Sequence, residues 1–250
     1  MTFIFQTKGF DLMRSTIFYC FILFSSISSA QVSIQINQHK FDFTASPRLA
    51  EVLSPIAYQD NWYWPAARLF RSDTHEILTL RNKVIAKLKF MQLSLNNDNA
   101  VLVDELIQQI NSWQLADRIL INLDYDRAQT NPQLNPQFEQ GQYKLDLVTR
   151  PTSFTVFGLV RQPVVIDLTD NMCAHHYINS AFSQLENKDF VYLIAADGRI
   201  DKIGIAYWNT GCVDIMPGSQ IYLPLNESQF FSDNRELNRQ IVELALNRIM

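Results

Sequence analysis

The sequence predicts an α+β protein in which two small sheet-containing units follow one another. Short segments that alternate apolar and polar residues occur twice in the order β-β-α-β-β, once before and once after residue 150. Apolar residues at a helical spacing interrupt the first unit at about residues 73–115, and a further helical pattern closes the chain. We therefore predict two tandem β-grasp-like domains, a helical hairpin insertion in the first and a C-terminal amphipathic helix.

Residues 1–30 are expected to be a secretory signal. Met13-Arg14 precedes an apolar run at 17–24, and small residues at 25–30 follow it, which is the order of a cleavable leader. We expect cleavage after Ala30. A permanent anchor is the less favoured alternative, because the run is shorter than the ~20 residues that span a bilayer. The mature protein is thus expected to be exported and to have no integral membrane segment.

Composition restricts the classes of function. The formal net charge is −4, which disfavours nucleic acid as a partner because phosphate binding requires a basic surface. Because 47% of the residues are hydrophobic and 12% are aromatic, the chain can form a large core. A disordered protein is excluded.

The first domain, residues 31–150, is expected to contain a β-hairpin, a short helix, the inserted helical hairpin and two closing strands. In this order the segments are 32–36 and 40–44, then 48–53, then 75–114, then 118–123 and 142–148. Ser46-Pro47 starts the short helix, and Asn96–Asn99 separates the two long helices. Arg150-Pro151 marks the boundary, because proline cannot donate to a sheet and favours extended geometry in its predecessor.

The second domain, residues 151–228, repeats this order. Its predicted segments are strands 154–160 and 164–168, a helix that starts at Asp170, and strands 190–194, 199–203 and 220–225. Asp197-Gly198 is a favoured hairpin turn, and Pro217-Gly218 suits a type II turn before the last strand.

Residues 229–250 form the predicted amphipathic helix, which has Leu237, Ile241 and Leu244 on one face and is expected to end at Met250. We favour a helix that packs on its own domain over one that is offered to a partner.

Two cysteines remain after the leader, Cys173 and Cys212, and an even number in an exported protein suggests a disulfide. Two unpaired thiols are the alternative. His175 and His176 are not expected to bind a metal, because adjacent helical residues point about 100° apart.

Several motifs carry a resemblance to a known family. They are the segment 150–160 (RPTSFTVFGLV), Ala206–Asn209 (AYWN), Met216–Ser219 (MPGS) and the closing helix. In combination they resemble the GfcC/YjbG family of capsule and exopolysaccharide biosynthesis proteins over the mature chain. The segment 191–199 with Pro217-Gly218 is also similar to the ligand-binding β-grasp repeats of outer-membrane polysaccharide export proteins.

This resemblance implies a periplasmic protein whose partners are polysaccharide, outer-membrane polysaccharide export proteins, or both. It implies no cofactor. The export proteins cross the outer membrane through a C-terminal helix, but the helix of this chain is short and carries three arginines. We therefore expect an accessory protein and not a pore.

The sequence contains no catalytic motif that we recognise. Asp124 and Asp126 are a close carboxylate pair, but alternate residues of a strand face opposite sides, so we interpret them as a solvated strand end. Arg127 is the better site residue, because a guanidinium can bind a carboxylate or phosphate through two bonds. A surface salt bridge is its alternative role.

Four aromatic residues are candidates for stacking on sugar rings: Trp62, Trp64, Tyr207 and Trp208. Trp208 lies between strands and is expected to fill the core, whereas Trp62 and Trp64 in a loop suit either role.

Three hypotheses follow. The leading one is a non-enzymatic accessory protein that binds polysaccharide or the export machinery. The second is a polysaccharide-modifying enzyme that uses Asp124 and Asp126. The third is a structural partner whose C-terminal helix docks to an outer-membrane channel.

Overall fold

The computed structural model describes residues 31–169, 172–181, 189–227 and 232–250, so the predicted leader lies outside the described ranges. It is a mixed α+β structure with two five-stranded sheets. In chain order the first half contains β1 (Val32–Ile36), β2 (His39–Phe43), α1 (Leu49–Leu53), β3 (Arg68–Arg71), α2 (Glu76–Gln92), α3 (Asn97–Ser112), β4 (Gln114–Leu115), β5 (Asp117–Ile119), α4 (Tyr125–Thr130) and β6 (Gly141–Asp146). The second half contains β7 (Ser153–Gly158), β8 (Val164–Asp167), α5 (Ala174–Ala181), β9 (Phe190–Ile194), β10 (Ile200–Gly204), β11 (Gln220–Leu223), α6 (Ser232–Leu246) and β12 (Arg248–Ile249).

The two sheets have the same strand order. The first is β2-β1-β6-β3-β5, and the second is β8-β7-β11-β9-β10. In each sheet the strand that comes last along the chain is central and lies parallel to the strand that comes first along the chain: β6 is parallel to β1, and β11 is parallel to β7. The other pairs are antiparallel. Because β3 and β5 are direct neighbours, the helical pair α2–α3 is inserted between two paired strands.

Each sheet packs against a short helix through residues that alternate along the strands. In the first half, Val32, Ile34 and Ile36 of β1 share a core with α1 and α4. In the second half, Phe154 and Val156 of β7 share a core with α5.

A third core joins the halves. The opposite face of the second sheet, which includes Phe157 and Tyr222, packs against apolar residues of α2, α3 and α6. The helical pair that interrupts the first half therefore covers the second half. The C-terminal helix α6 is folded back onto the chain, where it contacts both β9 of the second sheet and α2 of the first half.

Some predicted boundaries are wrong. The strand expected at 118–123 ends at Ile119, which pairs with Leu69 of β3. The final helix ends at Leu246, and Arg248–Ile249 pairs instead with β4. The sequence reading missed β3 and α4. No helix among the described residues is long and apolar enough to cross a membrane.

Candidate functional site

A cleft of about 280 Å³ lies where the first half meets the turn between β9 and β10. Its polar or aromatic lining residues are Trp64, Arg118, Asn122, Asp124, Arg127 and Asp197. The structure thus brings together Trp64 and Arg127, which were predicted separately as site residues. Trp62, Tyr207 and Trp208 do not line this cleft.

Trp64 is held by a short 3₁₀ helix, Trp64–Ala66, in which Pro65 presets the backbone. The preceding residue, Tyr63, donates its N–H to Val148 O at 2.8 Å, which ties the segment to the end of the first sheet. The half-buried Trp64 ring also packs against the first core. Trp64 is therefore held by the first core and also lines the cleft.

Trp62 faces a different cavity, of about 260 Å³, which it shares with Ile36, His39 and Gln59. Its Nε1 donates to Ile56 O at 2.8 Å. Trp62 is half-buried against the first core, so the two loop tryptophans contribute to separate cavities.

Arg127 and Asp124 are positioned by α4 and not by a strand end. Asp124 is the N-cap of this helix, and its Oδ1 accepts from Arg127 N at 3.0 Å. Its Oδ2 lies 3.8 Å from Arg127 Nε. The interpretation of Asp124 as a solvated strand end is therefore wrong. The Arg127 side chain is 66% exposed, so its guanidinium is accessible at the rim of the cleft.

Arg118 is a cleft residue that the sequence reading missed. Its Nη2 donates to Ala196 O of the β9–β10 turn at 2.6 Å. Burial lowers the pKa of Arg118 to about 10, with a further contribution from the charge of Arg68, whereas Asp197 opposes the shift. The cleft is thus lined by a poorly solvated cation, Arg118, and by the exposed cation of Arg127.

Gly198 allows the turn to approach this closely. Its φ of +96° is a backbone conformation that other residues rarely adopt, and the position of its missing Cβ would lie 2.5 Å from the end of the exposed Leu120 side chain.

Arg68 makes a second link between the halves. Its Nη2 donates to Gly218 O at 3.1 Å, within the Pro217-Gly218 turn that the sequence indicated. Burial lowers the pKa of Arg68, while Asp146 acts in the opposite direction. Both turns that carry the family resemblance therefore accept hydrogen bonds from arginines of the first half.

Tyr207 and Trp208 lie in the loop after β10, where their side chains are 97% and 76% exposed. The expectation that Trp208 fills the core is therefore wrong. The apolar neighbours Ile205 and Ile215 provide the buried contacts of this loop instead.

Cys173 and Cys212, the pair expected from the sequence, form a disulfide with a Cα–Cα distance of 5.0 Å. A disulfide is consistent with a location outside the cytoplasm. The rings of His175 and His176 lie 4.1 Å apart and are tilted to each other, but within the described ranges no three His, Cys, Asp or Glu side chains come together as metal ligands.

Comparison with known proteins covers both halves. Residues 28–150 match the family described as capsule biosynthesis GfcC, N-terminal, and residues 168–250 match capsule biosynthesis GfcC C-terminal. The chain is also 30% identical over 230 residues to YjbG of Escherichia coli (strain K12), with 91% of this chain and 89% of YjbG covered. The chain thus belongs to the GfcC family of capsule biosynthesis proteins.

Proposed function

We propose that this protein is a non-enzymatic accessory factor of capsule or exopolysaccharide biosynthesis that acts in the periplasm and binds acidic polysaccharide in the cleft. One observation carries this proposal: Trp64, Arg118 and Arg127 line the same cleft. An aromatic face packs against the C–H groups of a sugar, and a guanidinium binds a carboxylate or phosphate.

We infer that each half is a β-grasp domain. In both, a hairpin leads to a helix, and the last strand enters the middle of the sheet parallel to the first. The Asp197-Gly198 turn reaches the cleft, and the Pro217-Gly218 turn accepts a hydrogen bond from Arg68. These two turns resemble those in the repeats of polysaccharide export proteins. The domains thus serve as a rigid scaffold on which loops bind the ligand.

The geometry favours binding over catalysis. Asp124, which the enzyme hypothesis used as acid or base, caps α4 and lies against Arg127. Its Oδ1 therefore has a structural role at the start of this helix. Asp126 does not line the cleft.

Docking of the C-terminal helix to an export channel has less support. The residues that such a helix would offer, Leu237, Ile241 and Leu244, are buried in the third core. Exposing them would remove apolar surface from a packed environment, which is unfavourable at about 25 cal/mol per Å².

Binding to two defined polymers tests the proposal: polygalacturonate, which is acidic, and dextran, which is neutral. Retardation in an affinity gel gives the dissociation constants at low and moderate salt. We expect Arg127→Ala to weaken polygalacturonate binding about tenfold, the loss of one charge-assisted contact. The affinity of Arg127→Lys should lie between those of the wild type and Arg127→Ala, because lysine keeps the charge and loses the forked geometry.

The matched control is Arg239→Ala, since Arg239 is similarly exposed on α6 but does not line the cleft. It should bind like the wild type. Trp64→Ala should also weaken binding, provided that circular dichroism shows a folded protein. Equal binding by the Arg127→Ala and Arg239→Ala variants, or no binding of polygalacturonate by the wild type, would contradict the proposal.

A further inference from the structure

The loop after β10 presents two adjacent aromatic side chains to solvent. Tyr207 is 97% exposed and Trp208 is 76% exposed. Exposing two neighbouring large aromatic groups is unfavourable, and contiguous exposed apolar patches mark interaction sites or ligand-binding grooves. The cleft described above does not include them.

Asn209 fixes the start of this loop. Its Oδ1 accepts from Ala206 N at 2.9 Å, and its Nδ2 donates to Asp189 O at 2.8 Å. A Cβ at Gly204 would lie 2.2 Å from Asn209 O, so the chain folds back tightly where β10 ends. The two aromatic residues therefore project from a braced turn.

The other end of the loop is tied to α5. Cys212 is bonded to Cys173, Ala174 N donates to Val213 O at 2.9 Å, and His175 Nδ1 lies 3.3 Å from Gly211 O. A loop held at both ends loses little conformational entropy when a ligand binds.

This loop and the cleft lie at opposite ends of the β9–β10 hairpin. The Asp197-Gly198 turn reaches the cleft, whereas Gly204 pairs with Phe190 at the far end. The five residues of β10, Ile200–Gly204, lie between the turn and the aromatic loop. At a rise of about 3.3 Å per residue, this strand alone separates the cleft from the loop by roughly 15 Å. One polymer chain is long enough to reach both.

The charge of the loop indicates the class of ligand. Residues 205–214 contain no Lys or Arg and one acid, Asp214. Acidic sugars and anionic lipid surfaces are therefore not attracted, because both require basic groups. Aromatic faces without a basic partner suit the C–H face of an uncharged sugar ring.

We propose that Tyr207 and Trp208 form a second saccharide subsite, which stacks on uncharged rings of the polymer whose acidic groups enter the cleft. This inference rests on the proposed function. A polymer that contacts both subsites is bound more tightly than short pieces, because the second contact becomes intramolecular.

The test compares Trp208→Ala, Trp208→Phe and the Tyr207→Ala/Trp208→Ala double variant, all with the disulfide intact. Dextran reports on the aromatic subsite, polygalacturonate on the cleft, and hyaluronan, in which acidic and neutral sugars alternate, on both. We expect the alanine variants to weaken dextran binding at least fivefold and to leave polygalacturonate binding unchanged. Trp208→Phe should retain most of the dextran affinity, because it keeps an aromatic face.

The matched control is Phe90→Ala on α2, since Phe90 is 78% exposed and is not part of either subsite. For the wild type, hyaluronan affinity should rise with chain length, and Trp208→Ala should reduce that rise. If the wild type does not bind dextran, or if Trp208→Ala binds it normally, this inference fails while the effect of Arg127→Ala still decides the proposed function. Binding to phosphatidylcholine vesicles that is lost in Trp208→Ala, with glycan binding unchanged, would assign the loop to a membrane surface and overturn it too.

Discussion

The carboxamide of Gln109 pairs with the backbone of Gly158 through two hydrogen bonds. Gln109 Oε1 accepts from Gly158 N, and Gln109 Nε2 donates to Gly158 O, each at 3.1 Å. The same Nε2 lies 3.2 Å from Val160 O. Because Gln109 belongs to α3 and Gly158 ends β7, a buried amide of the first half completes the hydrogen bonding of the second sheet.

Gln109→Leu should therefore destabilise the protein strongly. It would leave the buried N–H of Gly158 without its acceptor, at about 1–3 kcal/mol, whereas Gly158 O would still accept from Val160 N at 2.8 Å. We expect the free energy of unfolding in urea to fall by about 1–3 kcal/mol. Gln108→Leu is the control, since Gln108 is the exposed neighbour on the same helix and should stay within about 0.5 kcal/mol of the wild type. Similar losses in the two variants would refute this role of Gln109.

Glu227 should make the attachment of α6 depend on pH. Burial acts to raise its pKa, but hydrogen bonds from Lys202, Asn238 and Tyr192 outweigh this effect, so the pKa of Glu227 lies below its ordinary value. Asn238 also bonds to Tyr222 and Leu225, so the carboxylate belongs to a network that holds α6 on the sheet.

A carboxyl group with a lowered pKa stabilises the folded state above its ordinary value of 4.5, and this contribution is lost as pH falls through the folded pKa. Glu227→Gln should thus reduce the free energy of unfolding at pH 7 by about 1–3 kcal/mol, the range for a hydrogen-bonded charged group. The difference from the wild type should shrink in urea titrations below pH 4.5. Glu236→Gln is the control, because its pair with Arg239 is exposed and contributes little. A Glu227→Gln deficit that is equally large at low pH would show that packing, and not charge, matters here.

How far the sequence predicts this protein depends on the range of the interactions involved. The period of 75–114 predicts α2 and α3, and Asp197-Gly198 predicts the β9–β10 hairpin, because both signals are local. The sequence does not reveal β3, whose four residues, Arg68–Arg71, begin and end with charged residues. Its first residue, Arg68, donates to Gly218 O in the other half, which no local pattern indicates.

The candidate site shows the same contrast between local signals and long-range contacts. Arg127 and Trp64 are identifiable from residue type alone, whereas Arg118 reads as an ordinary strand residue. Its role depends on the contact with Ala196, far along the chain, and no local pattern encodes that contact. The prediction for Trp208 is wrong for the converse reason. Its apolar side chain predicts burial, but the turn that Asn209 stabilises holds it in solvent.

Asp146 should show a pH dependence opposite to that of Glu227. Burial raises the pKa of Asp146, against the attraction of Lys144 and Arg68, and its Oδ2 has no hydrogen-bond partner among the described residues. A carboxyl group with a raised pKa favours folding below its ordinary value of 3.8, and that contribution is lost as pH rises through the folded pKa.

Asp146→Asn should thus raise the free energy of unfolding at pH 7 by roughly 0.5–1 kcal/mol, with the gain disappearing in acid. Asp42→Asn is the matched control. Hydrogen bonds from Ser33 and Lys40 lower the pKa of this exposed aspartate, so its amide variant should gain nothing at pH 7. A loss of stability in Asp146→Asn at neutral pH would mean that the contact of Asp146 with Lys144 outweighs the effect of burial.

The Cys173–Cys212 disulfide should have two roles: it should stabilise the second half, and it should restrict the motion of the aromatic loop. The bond closes a loop of 39 positions, which in the chain-entropy model is worth about 3–4 kcal/mol. The Cys173→Ser/Cys212→Ser double variant should therefore unfold in urea at a lower free energy by about that amount. In hydrogen exchange, residues 205–213 should lose protection first, because the covalent tie to Cys173 would be lost and hydrogen bonds such as those of Asn209 and Ala174 would then hold the loop. Wild-type protein treated with a reducing agent should behave like the variant. If the variant kept both its stability and the protection of this loop, neither role could be assigned to the bond.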